Sequence, residues 1–407
     1  MTITQVQIDG TTVNLSAIEY AVAIYHGRND VTSLPTPSAA AFTTIGSTIL
    51  GAIGDDLTIE AYSVPRFTGK ITDITIEHFS TTDGSPFARI QYAATGNLAD
   101  LGLLQVGTAG YVLESLADRV DEIFTETGLS YTALTDPYMI LNAVPANNGT
   151  SALQLLNDLG VQTGGTMYDT PTGDIVWESY TRRGYTYNPA NWAALTEPWT
   201  AYDYDWDNVY IAASSAPTPV TLPNNGVVWE PIWKNNNQTI LNHVTVTYDD
   251  TNPQATVDYD DLVSQAAYGY RAYTLTTSLA DGTDAYNRAT NIITAQSVPR
   301  YDLSNIQVRV DLLSPTLRAQ VLGLLMGSRV LLNDLPQPSP TTDYLGIVEG
   351  WGEQYSNGTH TLTLSLSDPR YSYAMATWGS VDNALIWGDV NASIQWYDVV
   401  LPEDLAA

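Results

Sequence analysis

Two stretches of this chain carry one pattern: Phe67-Thr68-Gly69-Lys70-Ile71 and Tyr344-Leu345-Gly346-Ile347-Val348. In each, an aromatic residue stands two places before a glycine and opens a strand. The first strand runs through Ile76, turns at Asp83-Gly84 and returns as Phe87 to Ala93. The second turns at Asn357-Gly358 and returns as His360 to Leu366. Apolar runs joined through Asp-Gly or Asn-Gly make β-hairpins. The same device near both ends of the chain predicts two related β-barrel domains flanking an inserted region.

The rest of the sequence is mostly strand. Leu57, Ile59 and Ala61 alternate with Thr58, Glu60 and Tyr62, and Val244, Val246 and Tyr248 with Thr245 and Thr247. Ile306, Val308, Val310 and Leu312 alternate with Gln307, Arg309 and Asp311, which gives one buried and one polar face. Four segments have helical period. Val112 to Thr127 puts Val112, Leu116, Val120, Ile123 and Phe124 on one stripe before Gly128. Thr150 or Ser151 caps a second helix, with Leu153, Leu156 and Leu159, that ends at Gly160. Asp281 to Thr294 is the third. Ser314-Pro315 opens the fourth, closed by Gly327.

These shifts divide the chain. Residues 1–98 are a first barrel domain, 99–180 an inserted α/β domain with turn chemistry at Asp169 to Gly173, and 181–238 an aromatic, loop-rich segment. Residues 239–370 are a second barrel domain with helices, and 371–407 a C-terminal extension with Trp378, Trp387 and Trp396. The fold class expected is mainly β with an inserted α/β part, α+β overall.

Composition narrows function. The chain has 407 residues and no cysteine, which excludes disulfides and thiolate metal sites. Against 44 Asp+Glu stand 15 Lys+Arg, a net charge of −29, and only Lys70 and Lys234 are lysines. Such a surface repels phosphate, so tight nucleic-acid binding is disfavoured, although a conduit through which DNA slides tolerates it. The apolar content of 44% excludes general disorder. Met1 to Gln5 lacks a signal-peptide pattern, and Ala39 to Ile53 is too short and polar to span a bilayer.

No motif assigns chemistry. His26, His78, His243 and His360 show no metal-ligand spacing. His26 reads as a turn after a strand, the others as strand residues half-buried or facing solvent. Asp203, Asp205 and Asp207 alternate as calcium ligands do, but lack the glycine and distal Glu of a calcium loop. Asp249, Asp250, Asp258, Asp260 and Asp261 read as a polar loop. No nucleophile elbow or Walker loop occurs, and Gly164-Gly165 precedes a strand, which is not a phosphate cradle. No catalytic, cofactor-binding or metal-binding residue is therefore assigned, and the chain is not expected to be an enzyme. The alternative class is a glycan-binding or glycan-cleaving protein, with Trp192, Trp199, Trp229 and Trp233 as stacking platforms.

Several short patterns then occur in a characteristic order. His26-Gly27-Arg28 follows an early strand. Ile53-Gly54-Asp55-Asp56-Leu57, Phe67 to Ile74, and Asn97-Leu98-Ala99-Asp100-Leu101 come next. Tyr268-Gly269-Tyr270-Arg271, Asp284-Ala285 and Ser297-Val298-Pro299-Arg300 follow. Val348-Glu349-Gly350-Trp351 and Ser367-Asp368-Pro369 close the series. In these the chain resembles the baseplate-hub proteins, or minor tail proteins, of long-tailed actinobacterial phages, over roughly residues 15–370. The resemblance implies a virion protein at the tail tip, made in the host cytoplasm and without a membrane anchor. It implies two tube-type β-barrels per chain, lateral inserted domains, and a homotrimer whose six barrels join the six-fold tail to the three-fold tip. Its implied partners are distal tail, tape-measure, and tip or receptor-binding proteins, with DNA passing through during ejection without specific binding. No cofactor is implied. The family-motif positions are His26, Gly27, Arg28, Phe67, Gly69, Gly346, Gly350 and Trp351, with Gly69 and Gly346 as equivalent points in the two barrels.

Overall fold

The computed structural model describes residues 3–31, 33–80, 86–134, 139–146, 149–179, 219–223, 228–229, 232–235, 239–249, 251, 253–299, 301–304, 306–356, 358–369, 376–377 and 399–400. Its first part is all strand: β1 (Ile3–Ile8), β2 (Ile18–Gly27), β3 (Thr36–Gly46), β4 (Asp56–Ala61), β5 (Val64–Ser80) and β6 (Pro86–Gly96). Then come α1 (Leu116–Thr127), β7 (Tyr131–Leu134), α2 (Ala152–Thr163), β8 (Thr166–Asp169) and β9 (Ile175–Glu178). After β10 (Val220–Pro223) follow β11 (His243–Tyr248), β12 (Ala255–Asp260), α3 (Leu262–Tyr268), β13 (Ala272–Thr276) and α4 (Gly282–Gln296). The last part holds β14 (Ile306–Arg309), α5 (Pro315–Leu322), β15 (Arg329–Asn333), β16 (Tyr344–Ser356) and β17 (Thr359–Ser367). The architecture is mainly β with a few helices.

Both ends of the chain enter one sheet. Its order runs β14-β17-β16-β2-β3-β6-β5-β4-β1, with β10 and β15 attached to the far part of β16. Period-two burial explains the strands: Leu57, Ile59 and Ala61 are buried on β4, and His360, Leu362, Leu364 and Leu366 on β17. The hairpins expected from the two sequence patterns are β5–β6 and β16–β17. Their turn residues Asp83-Gly84 and Asn357 lie outside the described residues, and Gly358 has φ +82°.

Among the described residues, three large hydrophobic cores lie under this frame. Val6, Ile8, Ile59, Phe67, Ile90 and Tyr92 belong to the first, and Val308, Val330, Val348, Trp351 and Leu364 to the second. The third joins Leu116, Ile123, Leu156 and Trp177 of the insertion to Val244, Val246, Ala289 and Ile293. The core therefore does not follow the boundary expected at residue 239. The apolar face of β11–β13 is covered by α4 and meets the insertion, so that segment packs away from the strands that follow it.

Local corrections have local causes. The first helix begins at Leu116, because Ser115 accepts the Asp118 amide, and Val112 is 68% exposed outside it. Gly160 does not end the second helix. It is buried inside it, where a Cβ would meet the Gly165 carbonyl oxygen at 2.9 Å, and Gly164 closes the helix at φ +82°. The third helix, expected from Asp281 to Thr294, is capped by Asp281 and runs on to Gln296. The fourth closes at Gly323; Gly327 lies beyond it in the turn that leads into β15, at φ +86°, and donates its amide to Val348 O at 2.8 Å. Strand β14 stops at Arg309, so Leu312 falls on a 3-10 turn and is exposed. The second part of the acidic stretch read as a loop is regular structure: Asp258 and Asp260 lie on β12, and Asp261 caps α3, a helix not anticipated, while Asp250 lies outside the described residues.

Candidate functional site

The two ends of the chain meet where β2 pairs antiparallel with β16, from Val22↔Tyr355 to Gly27↔Gly350. A bulge at Glu349 breaks the β16–β17 register between Val348 and Gly350. A bulge bends a strand. Here it lies where β16 changes partners, from β15 to β2. Two glycines allow the contact. Gly27 sits at φ +81°, and a Cβ there would strike the Glu349 carbonyl and lie 2.8 Å from the Gly350 Cα. A Cβ on Gly350 would lie 2.5 Å from His26 O and 2.6 Å from Arg28 N. Only residues without side chains fit so close a crossing.

Charge is buried on both sides of this crossing. Arg28 Nε donates to Glu349 Oε2 at 2.7 Å, and Ser367 Oγ donates to Glu349 Oε1. Deeper in, Arg66 Nε lies 3.0 and 3.1 Å from the two oxygens of Glu353, Arg66 Nη2 also donates to Glu353, and Nη1 donates to Leu322 O. Trp351 Nε1 donates to Glu353 Oε1 at 2.9 Å, His360 Nε2 lies 3.1 Å from Oε2, and Tyr355 Oη donates to Oε2. Burial raises the Glu353 carboxyl, but the Arg66 charge and the hydrogen bonds from His360 and Arg66 outweigh it, leaving Glu353 well below the usual carboxylate range. Burial, and then the Glu353 charge, hold the Tyr355 hydroxyl well above its ordinary value, against the charge of Arg66. A buried ion pair is tolerated only when its remaining lone pairs and protons are satisfied, and Glu353 meets that condition.

His26 lies in the strand, not in a turn. It is 1% exposed, stacks on Trp351 with centroids 4.7 Å apart, and Nε2 hydrogen-bonds Arg66 O at 2.8 Å. Its Nδ1 has no hydrogen-bond partner among the described residues. Burial therefore lowers its pKa below 6.5, despite the Arg66 carbonyl and the charges of Glu353 and Asp169.

The insertion is pinned beside this seam. Asp169, at the end of β8, accepts the Ser38 amide (3.0 Å) and hydroxyl (2.9 Å) of β3. A Cβ at Gly96 would fall on its carboxylate. Thr68 Oγ1 donates to Pro171 O at 3.0 Å, and Asn97 Nδ2 to Gly173 O at 2.7 Å. The turn read from sequence at Asp169 to Gly173 is thus a plug seated in the first sheet. Burial raises the Asp169 carboxyl, against the Ser38 hydrogen bonds and the His26 charge.

Of the family-motif positions, His26, Gly27, Arg28, Gly350 and Trp351 converge on the seam. Phe67 lies near it, its ring centroid 6.5 Å from that of His26. Gly69 and Gly346 lie elsewhere, and both are covered by the aromatic ring two residues earlier. A Cβ on Gly69 would meet Phe67 Cζ at 2.8 Å, and one on Gly346 would meet Tyr344 Cε1 at 3.0 Å. Arg66, Asp169, Glu353, Tyr355 and His360 were not singled out from sequence as parts of a site. The available signal was Glu349 and Glu353 inside a strand of aromatic and small residues. His360 is fully buried, His243 half-buried and His78 exposed. Asp203, Asp205, Asp207, Trp192, Trp199, Trp378, Trp387 and Trp396 lie outside the described residues. Trp233 packs edge-on against Tyr301 and Tyr344. Among the described residues, no three metal-ligating side chains come together, and no helix is long and apolar enough to cross a membrane.

No family model matches the chain, and no curated protein matches it. Solved structures do. The 43 kDa tail protein of prophage MuSo2 from Shewanella oneidensis superposes with a TM-score of 0.60 at 12% identity, over 90% of this chain and 99% of that one. The tail protein from Neisseria meningitidis MC58 superposes at 0.59 and 13% identity, over 90% and 97%. This chain therefore has the fold of these tail proteins over nearly its whole length.

Proposed function

We infer that the chain is a structural subunit of a phage-type tail, a baseplate-hub or minor tail protein at the tail tip, with no catalytic role. The observation that carries this is the shared fold with two tail proteins over 90% of the chain. The paired hairpins β5–β6 and β16–β17, one from each end of the sequence, support two barrels per chain. The first is built from residues 1–98, and the second from the part of 239–370 that follows α4. Residues 99–180 together with β11 to α4 form the lateral unit. The glycine-lined, ion-paired seam fixes the two barrels side by side. Three chains then close a ring of six barrels between the six-fold tail and the three-fold tip, through which DNA passes. With 44 acidic against 15 basic residues, an axial lining drawn from this surface repels the phosphate backbone. Its neighbours are other tail proteins, the distal-tail, tape-measure and tip or receptor-binding components, and its place is the virion.

The test is the mass of the purified full chain by light scattering, with particle images. A trimer with a central hole is the expected result. A compact monomer at every concentration, with no ring in images, counts against the hub. A ring with a basic axial lining overturns the account of the lumen.

A further inference from the structure

Two apolar patches stand exposed at the two ends of the lateral unit, and they differ in charge. The first is on α3 and the turn after it. Leu262 is 72% and Val263 81% exposed, and the rings of Tyr268 and Tyr270 stand open to solvent beyond them. The patch is held rigidly. Buried Asn242 donates from Nδ2 to Gly269 O at 2.8 Å and accepts the Arg271 amide on Oδ1 at 2.7 Å. Ser264, on the inner side of α3, donates to Ser297 O. Apolar groups held in place this way lose little entropy on docking. The Arg271 guanidinium sits at the C-terminal end of α3, with Nε 3.4 Å from Tyr268 O. Arg271 forms no ion pair among the described residues, in a chain with 44 acidic residues against 15 basic.

The second patch is the stretch before α1. Val112 and Leu113 are exposed, Leu113 by 63%. Buried Arg119 fixes them from behind: its Nη2 donates to Val112 O at 2.9 Å and to Asn142 O at 3.0 Å, and its Nε donates to Glu114. Glu122 and Glu126 follow on α1, one turn apart, where like charges repel. Desolvation, and then the charges of Glu114 and Glu126, raise the Glu122 carboxyl against the Arg119 charge. An apolar step with surplus negative charge thus stands opposite in sign to an apolar step with an unpaired cation.

The two patches cannot serve each other within one chain. Pairing of β11 with β13 starts at His243↔Ala272, beside Arg271, and runs to Thr247↔Thr276, a span of about 13 Å. Beyond that far end, Ser278 O accepts the Asn142 amide at 2.7 Å, and Asn142 shares Arg119 with Val112. The patches therefore lie at opposite ends of one rigid core. Two unlike, complementary surfaces at opposite ends of a body describe a head-to-tail contact between copies, the kind that closes a ring. Matched charge also answers the repulsion between two chains of net charge −29.

We propose that the α3–Tyr270–Arg271 end of one chain docks on the Val112–Leu113 end of a second copy, with Arg271 meeting Glu122 and Glu126. That three such contacts close a ring rests on the trimer reading given above; the contact itself has its own test.

The chain has no cysteine, so introduced thiols are the only ones. Full-length Tyr270→Cys and Leu113→Cys chains with different tags are co-expressed, purified through both tags, and treated with a short bismaleimide. The expected product is a covalent pair of the two chains, formed by neither variant expressed alone. A trimer by light scattering that yields no such pair overturns the proposal and leaves the hub reading standing. The pair without a trimer supports the contact and counts against the ring. Cross-linking of Tyr270→Cys to itself shows a two-fold contact and overturns the proposal. Arg271→Glu is expected to weaken association at least about tenfold, and Glu122→Arg in the same chain to restore it. Both side chains lie outside the core, so the parent Tm should be kept. Association that Arg271→Glu leaves unchanged also overturns the proposal.

Discussion

Arg66 holds both carboxylate oxygens of Glu353 at 3.0 and 3.1 Å, across 287 positions of sequence and from opposite ends of the chain. Removing either partner leaves the other charge buried and alone. Arg66→Ala or Glu353→Ala should each cost about 3–5 kcal/mol, read as a drop in the urea midpoint. The paired replacement Arg66→Met with Glu353→Leu removes both charges and should be milder than the sum of the single changes. A double-mutant cycle that comes out additive would show that the two groups do not interact.

Gly27 and Gly350 let β2 and β16 cross in contact. Gly27→Ala must hold φ +81° and push against Glu349 O. It should cost about 1–3 kcal/mol. Gly54→Ala has a similar positive φ, +94°, but open space around it, so it carries backbone strain without the clash. Equal losses of Tm in the two variants would remove the close-approach argument.

His26 sets a pH slope. Its folded pKa lies below that of the unfolded chain, about 6.5, so the unfolded state takes up the proton first. Stability should be full above that value and fall as the pH drops below it toward the folded pKa. Asp169 works in the opposite sense. Its raised folded pKa means that the native state binds its proton first, which adds stability as pH falls toward the ordinary carboxylate range. Glu353, held low, contributes stability above its unfolded pKa, and this is lost only in strong acid. Urea midpoints between pH 7.5 and 5.5 should therefore decline, and His26→Phe should flatten the decline. A parent slope of zero in that window would contradict the burial of neutral His26.

Asp169 pins the insertion to the first sheet through Ser38. Charged hydrogen bonds are worth about 1.5–3 kcal/mol, and Asp169→Ala should lose that much. The loss should be local: hydrogen exchange should quicken at residues 166–178 and at Ser38, while the β16–β17 hairpin keeps its protection. Uniform exchange across the chain would mean that the plug is no separate contact.

Some of this was written in the sequence alone. Alternation of Leu57-Ile59-Ala61 and Leu362-Leu364-Leu366, the helix openings at Ser151 and Ser314-Pro315, and the aromatic-x-glycine openings at Phe67 and Tyr344 are local signals. They act within a few residues, so many of the strands, four of the five described helices and the two hairpins were legible. Helix ends failed where a glycine was used for packing, as at Gly160, or served the turn before the next strand, as at Gly327. The seam motifs His26-Gly27-Arg28 and Glu349-Gly350-Trp351 could be picked out, but not the fact that they touch. That β2 would lie beside β16, that Arg66 would find Glu353, and that the turn after Asp169 would seat on Ser38 and Gly96 depended on the order of strands in the sheet. A buried charge has no local signature, because its partner is supplied by whichever distant strand the fold lays next to it.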